Sequence, residues 1–198
     1  EVSDFSLSDL TEENISFLRS KWVEYGLIVF PKLPLSHDEF KDFALSFGNF
    51  GDDPFISSLP DYPNIAEIKR SANEKATPFG GTWHSDWSFM KKPPSATLLH
   101  SKIIPPVGGN TLFANTEKSF AALPEKMKNK LRNLKVIHSA KIPYADDGFY
   151  ALEKEERSMK ILPSKEAKAT FSHPMIKIHP ETKKECLFIN PVYTINIE

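Results

Sequence analysis

Apolar residues at Ile15, Leu18, Trp22 and Tyr25 recur at i, i+3, i+7 and i+10, the spacing of one helical face. Thr11 is placed to cap that helix, Glu12 and Glu13 suit its positive end, and Gly26 stops it. Leu27-Ile28-Val29-Phe30 then reads as a short buried strand. Ser36-His37-Asp38-Glu39 has the form of a capping box and opens a second helix. That helix carries Phe40, Phe43, Ala44 and Phe47 on one face, with Gly48 as its stop. From Asn49 to Phe79 Pro, Asp and Ser dominate, and only Ile65-Ala66-Glu67-Ile68 has strand character. A stretch of this kind inside a domain is a functional or mobile loop.

Trp83–Phe89 reads as an extended, aromatic-rich segment, Lys91-Lys92-Pro93-Pro94 as a turn, and Ala96-Thr97-Leu98-Leu99-His100 as a strand. Pro105-Pro106 and Gly108-Gly109 punctuate the chain before Asn110–Ala114. Asn115 or Thr116 can cap a helix carrying Phe120 and Leu123, and Pro124 can open another with Met127, Leu131 and Leu134 on one face. Lys141 to Thr170 is charged and weakly patterned, an expected excursion away from the core. Met175–Ile178 and Cys186–Ile189 flank a turn at His179–Lys183, and Val192–Ile197 is a last β-like run. Helices first and short strands afterwards predict an α+β domain. No Gly-rich loop joins a strand to a helix, so a doubly wound α/β fold is not indicated. A double-layer antiparallel jelly roll would place a histidine–carboxylate pair in its mouth.

Composition narrows the partners. The chain has 198 residues, enough for one sizeable domain, and its 25 basic and 26 acidic residues nearly cancel. No bulk field therefore favours nucleic acid or an anionic membrane, and no apolar run reaches the length needed to span one. The lysines between Lys126 and Lys135 read as the solvated face of a helix. The one cysteine, Cys186, excludes an internal disulfide and suits a reducing, cytoplasmic setting. Its apolar neighbours mark it as a small buried residue. The chain starts at Glu1 rather than Met and ends within an apolar β-like run, so it is expected to be part of a longer protein.

The segment richest in chemistry is Thr82-Trp83-His84-Ser85-Asp86-Trp87-Ser88-Phe89. In a strand, residues i and i+2 face the same side, roughly 6.5–7 Å apart along the backbone. His84 and Asp86 could then converge on one ion, with Trp83, Ser85 and Trp87 on the other side. Taken alone, the pattern favours a buried hydrogen-bonded histidine and a turn-capping aspartate.

Two further stretches change that balance. They are Gly108-Gly109-Asn110-Thr111-Leu112-Phe113-Ala114-Asn115, and His173-Pro174-Met175-Ile176-Lys177-Ile178-His179-Pro180-Glu181-Thr182 continuing to Leu187-Phe188-Ile189-Asn190-Pro191. With the first segment, in this order and spacing, they resemble the taurine dioxygenase / 2,4-dichlorophenoxyacetate dioxygenase family of iron(II)- and 2-oxoglutarate-dependent oxygenases. The likeness runs from about Leu7 to the last residue.

The resemblance implies a jelly-roll (double-stranded β-helix) core with flanking helices, incomplete in this chain, as a single domain over 1–198. It also implies an enzyme that uses Fe(II), 2-oxoglutarate and O₂, hydroxylates a small organic substrate and releases succinate and CO₂. His84 and Asp86 match the first two iron ligands, and Thr111 the threonine that holds the distal 2-oxoglutarate carboxylate. Asp53, Gly80, Tyr144 and Tyr193 fall at substrate positions. Asp53 and Gly80 replace a histidine and an asparagine there, which points away from taurine itself. His173 and His179 serve the scaffold and a turn. The family's third ligand, a histidine followed by a carboxylate-pairing arginine, is not found before Glu198. Two other readings use the same residues: a divalent-metal hydrolase built on His84 and Asp86, and a non-catalytic binding module. A small molecule is the expected partner, with self-association left open.

Overall fold

The two helices with the strongest capping signals form where the sequence places them. In the computed structural model, which describes residues 1–198 apart from the side chain of Asp9, helix α1 runs Glu12–Tyr25. Thr11 Oγ1 accepts from Asn14 N at 3.2 Å, and Gly26 ends the helix at φ 75°, a left-handed turn that glycine adopts without strain. Helix α2, His37–Leu45, has both halves of its capping box. Glu39 N donates to Ser36 Oγ at 3.2 Å, and Ser36 N donates to the Glu39 carboxylate at 2.7 Å. These caps satisfy amides that a helix start otherwise leaves without partners.

Both helices lie in the first of two units, Glu1–Gly51 with Leu98–Asn115 and His179–Lys184. Buried Phe43 is the centre of an aromatic cluster there, with Phe5, Phe30 and Phe47 at 6.1, 5.4 and 5.3 Å between ring centroids. Their tilted and edge-on contacts suit the ring quadrupoles. Arg19 of α1 grips Glu181 with two 3.0 Å bonds. The strand expected at Leu27–Phe30 does not form. Val2 N donates to Val29 O at 2.8 Å, but Val29 stays exposed. Ala96–His100 is likewise irregular. Apolar side chains suggested strands in both places, yet a strand needs a neighbour for its backbone groups. Among the described residues this unit contains no strand.

The second unit, Asp52–Thr97 with Thr116–Ile178 and Glu185–Glu198, holds the sheets. Its first pair is β1 (Ser58–Leu59) with β2 (Tyr62–Ala66), the latter displaced toward the N-terminus from the expected 65–68. Next come α3 (Thr116–Ala121), α4 (Glu125–Leu131), β3 (Lys135–Ser139), α5 (Lys141–Tyr144), α6 (Phe149–Leu152) and β4 (Thr170–Pro174). The order ends with β5 (Ile176–Ile178), β6 (Glu185–Leu187) and β7 (Thr194–Ile197). Strand β3 lies between β4 and β7, antiparallel to both, and β5 pairs with β6 as the sequence suggested. The final apolar run thus finds its partner upstream, in β3.

Two clusters fill this unit. One gathers Phe55, Phe89, Tyr144 and Tyr193 around Ala140, Ala145 and Ala167; the other holds Phe120, Val136, Met175 and Ile176. The 141–170 stretch is therefore part of the core rather than an excursion. Its inward positions are scattered alanines and tyrosines, which leave no periodic apolar signal. Met127 is exposed rather than on an inner face, and Cys186 is half-buried on β6. Mixed helices and antiparallel strands give the expected α+β class.

Gly148 packs against the first turn of α5 so closely that a Cβ would meet Lys141 O at 2.8 Å, Ala145 N at 2.9 Å and Ile142 O at 2.9 Å. All three are backbone atoms and cannot swing aside. Gly148→Ala is expected to destabilise the protein by about 1–3 kcal/mol, the usual effect of overpacking, read as a lower urea midpoint at unchanged slope.

Candidate metal centre

His84 and Asp86 do come together, though not through a strand. Residues 83–85 are irregular and 86–89 form a turn, with Trp87 at φ 48°, in the left-handed region that aromatic residues rarely use. Met90 N donates to Trp87 O at 2.9 Å and Ser88 N to Ser85 O at 3.3 Å. This turn brings Nε2 of His84 to 3.0 Å from Oδ1 of Asp86.

The other heteroatom of each side chain is already engaged. His84 Nδ1 lies 2.7 Å from the Thr82 carbonyl; a carbonyl can only accept, so Nδ1 carries a proton. That bond orients the ring and leaves Nε2 to bind a metal. The Thr97 hydroxyl donates to Asp86 Oδ2 at 2.7 Å. Two donors each about 2.1 Å from an ion, at right angles, lie about 3.0 Å apart. The pair therefore fits two adjacent positions around a divalent ion. Among the described residues, no group of three or more His, Cys, Asp or Glu is placed to hold a metal.

Without a metal, a proton bridges the gap. The bond to Asp86 raises His84 above the ordinary imidazole value, against burial, which lowers it. His84 in turn holds Asp86 below the usual carboxylate range, with Thr97 adding to the effect. The His84 contribution to stability is complete below its ordinary pKa and disappears as pH rises through the raised value. That of Asp86 is present above its ordinary pKa and is lost as pH falls through the lowered one. The side chains are 26% and 39% exposed, so water screens the pair and its net worth is small.

The proposed substrate positions lie around this pair, all in the second unit. A Cβ on Gly80 (φ 69°) would stand 3.6 Å from Cε1 of His84. Tyr193 meets the His84 ring edge-on at 6.3 Å and Phe89 at 4.8 Å. Tyr144 hydrogen-bonds Tyr193 and stacks on Phe55 at 5.1 Å. Burial pushes both phenols well above their ordinary range. Asp53 accepts from Phe55 N and Ile56 N at 2.9 and 3.2 Å. Burial raises its carboxyl, while those amides and the Trp87 side chain pull it back. Its carboxylate thus has partners inside the protein. Thr111 belongs to the first unit, exposed on an irregular segment after Gly108 (φ 82°) and Gly109 (φ 71°).

His173 and His179 hold structure. His173 Nε2 donates to Met90 O at 2.9 Å, and His179 Nδ1 accepts from the amides of Glu181 and Thr182 at 3.3 and 3.2 Å. Sequence reasoning missed Thr97, a lone threonine in an apolar run, and a buried polar network centred on Ser88. Asn190 Nδ2 donates to Ser88 Oγ at 2.9 Å, and His138 Nδ1 lies 3.0 Å from the same oxygen. His138 Nε2 is 3.2 Å from Thr194 Oγ1, and Asn190 Oδ1 accepts from Tyr193 N at 2.8 Å. The turn carrying Asp86 is thereby tied to β3 and to the start of β7. Asn190-Pro191 stood in one of the matching motifs, but nothing there disclosed its partner.

Solved dioxygenases share this architecture. A taurine dioxygenase from Burkholderia xenovorans superposes with a TM-score of 0.74 at 20% identity, covering 98% of this chain and 60% of that one. AAD-2, solved with Mn(II) and N-oxalylglycine, gives 0.62 at 18% identity over 96% of this chain and 64% of its own. The fold is that of this dioxygenase class. Residues 1–198 match the family described as taurine catabolism dioxygenase TauD, TfdA, and the chain belongs to that family. An alpha-ketoglutarate-dependent sulfonate dioxygenase of Saccharomyces cerevisiae is 29% identical over 208 residues, 100% of this chain and 48% of the yeast protein. An alkylsulfatase of Acinetobacter baylyi is 29% identical over 192 residues, 96% of this chain and 59% of its own length. The chain thus spans about half to three-fifths of these two relatives.

Proposed function

We propose that this chain carries two iron ligands, His84 and Asp86, of an Fe(II)- and 2-oxoglutarate-dependent dioxygenase acting on a small organic substrate. One observation carries the reading: Nε2 of His84 and Oδ1 of Asp86 stand 3.0 Å apart while their other heteroatoms are held elsewhere. A neutral imidazole and a carboxylate with open positions beside them suit Fe(II). When bound, iron with 2-oxoglutarate and O₂ supplies the oxidation, yielding succinate, CO₂ and a hydroxylated product. In this reading residues 1–198 are part of one jelly-roll oxygenase domain working in the cytoplasm. Among the described residues no helix is long and apolar enough to cross a membrane.

The chain's own residues bind and orient. His84 and Asp86 present one donor atom each, and Thr82 and Thr97 aim them. For Thr111 the role is the one the family motif implies, a hydroxyl for the distal carboxylate of 2-oxoglutarate, and such a bond is on the order of 1.5–3 kcal/mol. That positions the cosubstrate but cannot bind it alone, so the reading requires a cation and a third ligand from outside these residues. Gly80 leaves room beside His84, Tyr193 and Tyr144 form an aromatic wall, and Asp53 shapes the site through Trp87. The relatives' names point to sulfonates and alkyl sulfates as substrates to try.

The test is cosubstrate turnover by the full-length protein with Fe(II), ascorbate and O₂ across a panel of such acids. Substrate-dependent succinate is expected with at least one of them. Succinate no higher than in a metal-free control, for every compound, would remove the oxygenase reading. Oxygen-independent hydrolysis would put a metal hydrolase in its place.

A further inference from the structure

A carboxylate can offer a metal one oxygen or two, and its terminal torsion is soft. Asp86 is partly exposed, so bulk packing alone does not fix which it offers. We propose that Thr97 is a positioning residue that holds Asp86 to one-oxygen ligation, and so keeps a place at the metal free for cosubstrate. This rests on the metal reading of His84 and Asp86 given above.

The Thr97 hydroxyl reaches Asp86 Oδ2 at 2.7 Å, at the edge of the short range of charge-assisted O–H···O⁻ bonds. Threonine is stiff about χ1, so the hydroxyl is a fixed point rather than a passing contact. It engages Oδ2 while Oδ1 alone faces Nε2 of His84 at 3.0 Å. With His84, Asp86 and one further ligand each giving a single atom, a six-coordinate ion would have three places left. A chelating keto acid would take two and leave one for oxygen. If Asp86 turned both oxygens to the metal, that last place would be lost, or the keto acid would be held by one atom. The hydroxyl of Thr97 thus sets how many positions stay open, through Asp86 and without touching the ion.

The experiment uses the full-length protein with Co(II) as probe metal, whose visible absorption follows coordination number. Thr97→Val keeps the shape and removes the hydroxyl; Thr97→Ser keeps the hydroxyl and removes the methyl. Thr97→Val is expected to alter the Co(II) spectrum and to weaken 2-oxoglutarate binding, on the scale of the about 10–100-fold that losing an outer partner of a metal ligand costs in metal affinity or activity. Thr97→Ser is expected to stay close to the native protein in both. A native spectrum and native 2-oxoglutarate affinity in Thr97→Val would overturn the proposal. So would a serine variant as impaired as the valine one, since the methyl would then be what matters. His84→Ala separates the levels. If it loses Co(II) while Thr97→Val behaves as native, only the role of Thr97 falls; if it binds Co(II) unimpaired, the ligand assignment falls as well.

Discussion

Asp86→Ala in the full-length protein is expected to reduce succinate formation by at least about 100-fold, because even partners one step removed from a metal are worth 10–100-fold. Alanine has no donor atom, and water in its place would lack the charge that complements Fe(II). The fold should survive. Asp86 makes its contacts to His84 and Thr97 at a partly exposed position, where a screened pair adds little to stability. Turnover assayed beside thermal unfolding separates the two effects. An unchanged melting curve with activity at background is the expected pair of results, and normal turnover would show that Asp86 is not a ligand.

Mild acid should destabilise the protein through His138 before most of its carboxylates protonate. His138 has no exposed surface and is stacked against Phe188 at 5.2 Å. Burial first, then the neighbouring His173, lowers its pKa to about 4. An unfolded histidine titrates near 6.5, so between those values the unfolded chain binds the extra proton and acid favours it. The gap corresponds to roughly 3 kcal/mol lost from pH 6.5 down to 4, about two-thirds of it by pH 5. His173 is lowered as well, also by burial first, and acts in the same direction. The raised His84 has the opposite sign, and its contribution is already complete below its ordinary pKa. Urea unfolding at pH 7, 6 and 5 should show the midpoint falling, and His138→Gln should flatten the trend. A flat native profile would mean that the imidazole takes up its proton without leaving its place.

What could be read from the sequence was what is decided locally. The N-terminal caps of α1 and α2 need only residues three positions apart, and both formed as written, whereas α2 stops at Ser46 rather than running on to Gly48. Strands β3 and β4 were not legible. Lys135-Val136-Ile137-His138-Ser139 buries a histidine and a serine completely, which a rule of apolar inside and polar outside cannot foresee. The histidine is held by partners about fifty residues away, Ser88 and Thr194, and the Ser139 hydroxyl by the Ala167 carbonyl. Leu27–Phe30 failed in the opposite way: the side chains suit a strand, but the backbone has no ladder to join. At the site, the pairing of His84 with Asp86 was legible from the motif, but its geometric reason was not. A turn through a left-handed Trp87 does what an extended strand was expected to do, and Thr97 left no mark in the pattern.

Trp87 carries a further consequence. A tryptophan at φ 48° pays about 1–2 kcal/mol in backbone strain that glycine at the same place would avoid. Glycine would also lose the indole that supports Asp53 and packs on the core around Phe89. Residue 87 is therefore a position where ease of folding and fidelity of the site favour different amino acids. Substitutions chosen only to raise thermal stability would tend to relax this turn and loosen the geometry between His84 and Asp86, a stability–activity trade-off confined to one backbone angle.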